Sequence, residues 1–301
     1  MQYQGYIPST ATENINLDAR LVSKQGSPEF ADFQTKGLGA GKLSTPYKSV
    51  TFFYPKAFAD EAQTTGDCTS HGTRNAIDIA RAIEIHNGDP EGWHARTATE
   101  PIYGYRGHSG EGMSPALATE FVTKYGSLLR QKFQFEDVTV DLTKYNSKIG
   151  SNWGRSGPPK EVKDAAALHP ARYFARIRSI EEARDALAAG YGIHVGSGYG
   201  NDGKRDKNGL SRRNSSWNHD MAWGACDDIG PDMTFLVLNS WGAWNSGGHP
   251  QWGPIPEGSF LIPSADAAWC IRNGEAWAVG DVHGFPPKQL PDYGTTTFLG
   301  A

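Results

Sequence analysis

The chain has 301 residues, 38% hydrophobic and 21% charged, with a formal net charge of -4 and a pI near 6.1. That length supports one large domain or two modest ones, each with a real core. With no basic excess to release counterions, bulk electrostatic binding to nucleic acid or to an anionic membrane is not expected.

The N-terminus, Met1 to Gly5, has no basic stretch leading into an apolar run, so no signal peptide is expected. No apolar run is long enough to span a bilayer. Three cysteines, Cys68, Cys226 and Cys270, are too few and too odd in number for a disulfide scaffold. At least one thiol is therefore free. Cys226 and Cys270 are expected as buried reduced thiols, a bridge between them being the alternative.

Residues 1 to 50 are polar and carry no sustained period, which predicts an extended N-terminal arm lying along the body or along a neighbouring molecule. Lys36 to Lys42 is rich in glycine but lacks the spacing of a phosphate loop. Val50 to Tyr54 predicts a short strand stopped by Pro55. From Cys68 to His86 the pattern is helical. Ala76, Ile79, Ala80 and Ile83 share one face, Asp78, Arg81 and Glu84 fall outside it, and Asn87-Gly88 is a stop. Tyr103 to Gly112 reads as a Gly-rich loop. Ser114 to Tyr125 reads as a helix with Pro115 in its first turn and Gly126 at its end. Residues 140 to 165 have no period and predict a surface excursion. Ile180 to Ala189 predicts a helix capped by Ser179. Strands are expected at Ile193–Gly196, Met221–Cys226, Met233–Leu238, Ser259–Ile262 and Glu275–Val279, with a polar loop over 198–214. Helices first and strands second give an α+β class in two lobes.

One stretch carries chemistry. Gly66-Asp67-Cys68-Thr69-Ser70-His71-Gly72 places a cysteine where a helix begins, and unpaired N–H groups there favour thiolate over thiol. Cys68-x-x-His71 is half a zinc pattern, but no second pair has matching spacing, so neither metal nor cofactor is expected. About 150 residues on comes Trp217-Asn218-His219-Asp220, and then Asn239-Ser240-Trp241-Gly242 closes another strand pattern.

Cysteine at a helix start, then histidine, then Asn-Ser-Trp-Gly, resembles the papain-like cysteine peptidases. The likeness runs over most of the chain after about residue 50. It implies a helical lobe, about 60 to 135, packed against a β-barrel-like lobe, about 170 to 285, with the cleft between them. The peptidase domain would span 51–301 after a 1–50 arm. It also implies Cys68 as nucleophile, His219 as base and Asn239 as its orienter, with Trp241 covering that bond from water. The Cys68 amide and Gln63 would be the oxyanion donors, and Gly110 and Gly112 would form the substrate loop, with His108 and Glu111 beside it as specificity candidates. Thr69 stands where the family has tryptophan. Gln63 lies five residues before the cysteine rather than six. Asp220 follows the histidine where a small apolar residue is usual, and Glu111 separates the loop glycines.

The expected activity is hydrolysis of a polypeptide through a Cys68 thioester. Two alternatives stand beside it. One is a structural or interaction protein of a virus or phage particle, its arm contacting an assembly partner. The other is a cysteine amidase acting on cell-wall peptides. Localisation would be cytoplasmic or within a virion.

Overall fold

The arm is where sequence and structure part first. In the computed structural model, which describes residues 5–33, 36–88, 95–136, 138–168 and 173–293, the arm contains a 15-residue helix, α1 (Ala11–Gln25). Thr10 and Glu13 form a reciprocal capping box at its start, and Gly26 closes it in a left-handed conformation. Only Leu17, Leu21 and Gln25 are buried, too narrow a stripe to register as a period. Leu17 and Leu21 join a core cluster with Ile77, Phe121, Phe174 and Trp277. Asp18 and Glu29 hold Arg176 at 2.7 and 3.1 Å. The arm is therefore built onto its own chain. The first four and last eight residues lie outside the described residues.

A 3-10 turn (Phe30–Asp32) and a two-residue strand, β1 (Leu43–Ser44), follow. The predicted strand at Val50 is instead α2 (Tyr47–Phe53), which packs along the next helix through Val50. A run of β-branched and aromatic residues yields to that tertiary contact. The long helix α3 (Cys68–His86) is the axis of the molecule. Every residue from Cys68 to Ile83 is buried, polar ones included. Asp78, expected outside the apolar face, accepts from Arg96 at 2.9 Å and from the Thr97 N–H at 3.0 Å. A buried charge persists because it is paired and hydrogen-bonded.

The helical lobe continues with α4 (Glu100–Tyr103) and α5 (Pro115–Tyr125), the latter capped by Ser114. The expected surface excursion is ordered: β2 (Lys132–Gln134), β3 (Thr139–Asp141), α6 (Ser147–Trp153) and α7 (Lys160–Ala166). Val140 of β3, Leu142 just after it, and Val162 and Ala166 of α7 form a small core there, the contributions so scattered that no window shows a period.

The second lobe is an antiparallel sheet. Its strands are β4 (Tyr173–Arg176), β5 (Gly192–Gly200), β6 (Ser215–Asp227), β7 (Thr234–Leu238), β8 (Ser259–Pro263) and β9 (Glu275–Gly280). Helices α8 (Ile180–Ala188) and α9 (Ser264–Arg272) flank it. The strand order is β4-β9-β5-β6-β7-β8, with β1 also on β6. The β-barrel-like lobe is thus an open sheet, its end strands β4 and β8 not joined to each other. Helix α3 lies on β5 and β6 so closely that a Cβ at Gly192 would stand 2.4 Å from the Ala76 carbonyl oxygen. This contact sets the start of α3 against the middle of β6.

Candidate active site

Cys68 opens α3, and its side chain is fully buried. Its Sγ accepts the Asp220 N–H at 3.4 Å, so the thiol sits directly against β6. The residue before Asp220 is His219, inside β6 rather than at its head. His219 Nε2 meets Asn239 Oδ1 at 2.7 Å, and its Nδ1 is buried with no hydrogen-bond partner among the described residues. Asn239 follows the last residue of β7, and its Oδ1 also accepts the Ser240 N–H at 2.7 Å. The Trp241 ring stacks on the imidazole, centroids 4.4 Å apart at 23°. Cys68, His219, Asn239 and Trp241 come from the two lobes and meet at their seam.

Gln63 is buried between the lobes. Its N–H donates to Ser240 O at 2.8 Å, its Oε1 accepts from the Ser240 hydroxyl, and its Nε2 donates to Thr65 O at 2.8 Å. Thr69 is buried and donates to Met113 O at 2.9 Å, tying the first turn of α3 to the neighbouring strand-like segment. His71 belongs to a different network, beside Arg74 at 3.1 Å and Asp67 at 3.5 Å. No group of three metal-ligating side chains occurs among the described residues. All three cysteines are free thiols.

The loop glycines divide. Gly112 is buried at φ +88° and donates to Gly66 O at 3.1 Å, whereas Gly110 is exposed and its carbonyl accepts from Arg106. The backbone of the next residue, Met113, which no motif singled out, pairs through both its N–H and its carbonyl. Its partner is the arm. Ile7 N–H donates to Met113 O at 3.2 Å, and Met113 N–H donates to Gly5 O at 2.8 Å. The Gly5 and Tyr6 N–H groups both donate to Asn218 O, at 2.9 and 3.1 Å. The Gly5 backbone also lies near enough to the Cys68 thiol to act on it. Residues 5–7 thus run across the seam, over the thiol and beside the histidine.

Burial at the seam sets the electrostatics. Burial, and secondarily the Asp220 carboxylate, push the Cys68 thiol well above its ordinary range. Burial pulls His219 down to about 4, against the opposing pull of Asn239. With the arm in place both groups are neutral. Asp220 is itself raised by burial, and its Oδ2 faces His194 Nδ1 at 3.1 Å, both side chains wholly buried. Lone acidic and histidine positions inside strand patterns carry no local sign of such a pair, and only the sheet register brings residues 194 and 220 together.

Comparison with known proteins shows fold only. No protein-family model and no curated protein matches the sequence. Among solved structures, xylellain, a cysteine protease from Xylella fastidiosa, is 17% identical and aligns over 94% of this chain and 97% of that one, with a TM-score of 0.57. Procathepsin L 3 from the larval midgut of Tenebrio molitor is 11% identical over 92% and 83%, TM-score 0.49. Bromelain from Ananas comosus, in complex with the E64 inhibitor, is 14% identical over 79% and 98%, TM-score 0.48. The chain has the α+β, two-lobed fold of the papain-like cysteine proteases.

Proposed function

We propose that the chain is a thiol peptidase held latent by its own arm, with Cys68 as nucleophile, His219 as acid and base, and Asn239 as the group that orients the imidazole. The observation that carries this reading is the His219 geometry. Nε2 is fixed on Asn239 Oδ1 at 2.7 Å, while Nδ1 is left open one residue from the amide that holds the Cys68 sulfur. An imidazole so held can take the thiol proton only through Nδ1.

Once the arm is lifted, water reaches the site and the penalty on the charged forms falls, so thiolate and imidazolium become accessible. The thiolate attacks the peptide carbonyl carbon. The first amides of α3, Cys68 N–H among them, face the oxyanion. Gln63 joins them if its Nε2 turns from Thr65 O. The C–N bond breaks as His219 gives its proton to the leaving amine, leaving a thioester. Water then attacks the thioester while His219 takes its proton, and the thiol and a carboxylic acid are released. Trp241 stacked on the imidazole keeps water from the Asn239 bond.

The test is hydrolysis of a pool of fluorogenic peptides by the intact chain with the arm displaced by Gly5→Val. Cleavage that disappears in both Cys68→Ala and His219→Ala supports the reading. Cleavage that survives either substitution, or no cleavage of any peptide, sinks it.

A further inference from the structure

The arm leaves an imprint of what its groove accepts. The Tyr6 ring is buried in a pocket whose floor is Gly196, where a Cβ would stand 2.5 Å from ring carbons Cδ2 and Cε2. Pro115 forms a wall, its Cγ 3.1 Å from that same point. Glu275 stands across the sheet from Gly196, paired with it in the β5–β9 register. Glu275 Oε1 accepts the Ser9 N–H at 2.7 Å and the Tyr6 hydroxyl at 3.5 Å, and its Oε2 is buried without a partner among the described residues. Asp220 is wholly buried and engaged by His194. The cation of the adjoining strand, Arg176, is engaged by Asp18 and Glu29.

When a substrate replaces the arm, Glu275 loses both of its donors. A half-buried carboxylate without a donor or counter-charge is costly, and a side chain that brings both is favoured. We infer that the Tyr6 pocket is the specificity pocket of this site and that it selects an arginine or lysine side chain of a peptide, read by Glu275. Arginine and lysine extend about as far as tyrosine and carry the donors that the phenol supplies in the covered state. An acidic side chain would meet the Glu275 carboxylate. The inference rests on the peptidase reading for its biological meaning, but its test does not.

The test uses the intact chain and no substrate. Tyr6→Arg, Tyr6→Leu and Tyr6→Glu are made alone and with Glu275→Gln, which keeps the acceptor and removes the charge. Closure of the arm is read as protection of Cys68 from iodoacetamide. The expected result is protection at least about tenfold greater in Tyr6→Arg than in Tyr6→Glu, with Tyr6→Leu between, and a gap that shrinks to within about threefold beside Glu275→Gln. Leucine protecting as well as arginine, or an order unmoved by Glu275→Gln, would overturn the inference. Peptides with arginine, leucine or glutamate at one position are then offered to the Gly5→Val chain. Arginine preference lost in Glu275→Gln extends the inference to substrates. An arginine-selective arm in a chain that cleaves nothing would leave the pocket standing and remove the peptidase.

Discussion

Gly5→Val isolates the arm from everything else. A Cβ at residue 5 would stand 1.9 Å from the Gly66 carbonyl oxygen and 2.3 Å from its carbon, backbone atoms that cannot swing aside. The segment must lift. It gives up four backbone hydrogen bonds, two to Asn218 O and two with Met113, and the burial of the Tyr6 ring. At about 1 kcal/mol for each hydrogen bond and about 2 kcal/mol for the ring, the hold is offset by roughly 1 kcal/mol per residue for ordering residues 5–9. The net closure is then on the order of 1 to 2 kcal/mol, or about five- to thirtyfold in accessibility. Alkylation of Cys68 by iodoacetamide, followed by intact mass, should accelerate by about that factor in Gly5→Val, while α1 stays docked through Leu17 and Leu21. Equal rates in the two proteins would refute the claim that residues 5–7 guard the thiol.

Other predictions follow from the same contacts. In the Gly5→Val background, Asp220→Asn should speed Cys68 alkylation at pH 7 by roughly three- to tenfold, since it removes the negative group beside the sulfur; an unchanged rate would show that Asp220 does not act on the thiol. Closure should weaken with acid. His219 is held near 4 under the arm against an ordinary 6.5, so between those values the opened chain binds a proton that the closed chain refuses, and stability of closure falls as pH falls through that window. Asp220, raised by burial, acts in the opposite sense and tempers the effect. The ratio of wild-type to Gly5→Val alkylation rates should therefore rise toward one from pH 7 to pH 4, and a flat ratio would contradict the assignment. Gly192→Ala should lower stability by about 1 to 3 kcal/mol in urea, because its Cβ meets the backbone of Ala76 at 2.4 Å; no change in midpoint would mean that α3 and β5 are less tightly apposed.

What the sequence made legible was what has a local signature. Helix α3 carries its own period and stop, α5 and α8 carry their caps, and the alternation in β5 to β9 reads as strands. Cys68, His219, Asn239 and Trp241 stand out because motif spacing marks them, and the fold brings them to one seam. What stayed hidden depends on contacts made across the chain. The arm hides its helix because only Leu17, Leu21 and Gln25 face the body, and the Val50 run becomes helix because α3 lies beside it. Residues 140–165 build a core from the end of β3 and the short helices α6 and α7, none long enough to show a period. Met113 takes part through its backbone alone, so its side chain gives no sign. Glu275 and the His194–Asp220 pair acquire meaning only from strand register.

The most direct measurement of the central claim is the pH profile of Cys68 alkylation in Gly5→Val, with and without His219→Ala. A thiolate–imidazolium pair predicts that at pH 6 Cys68 reacts faster than free cysteine, and that His219→Ala returns it to the profile of an ordinary thiol. If Cys68 reacts no faster than free cysteine at pH 6, and His219→Ala changes nothing, the two residues do not work as a pair and the peptidase account fails.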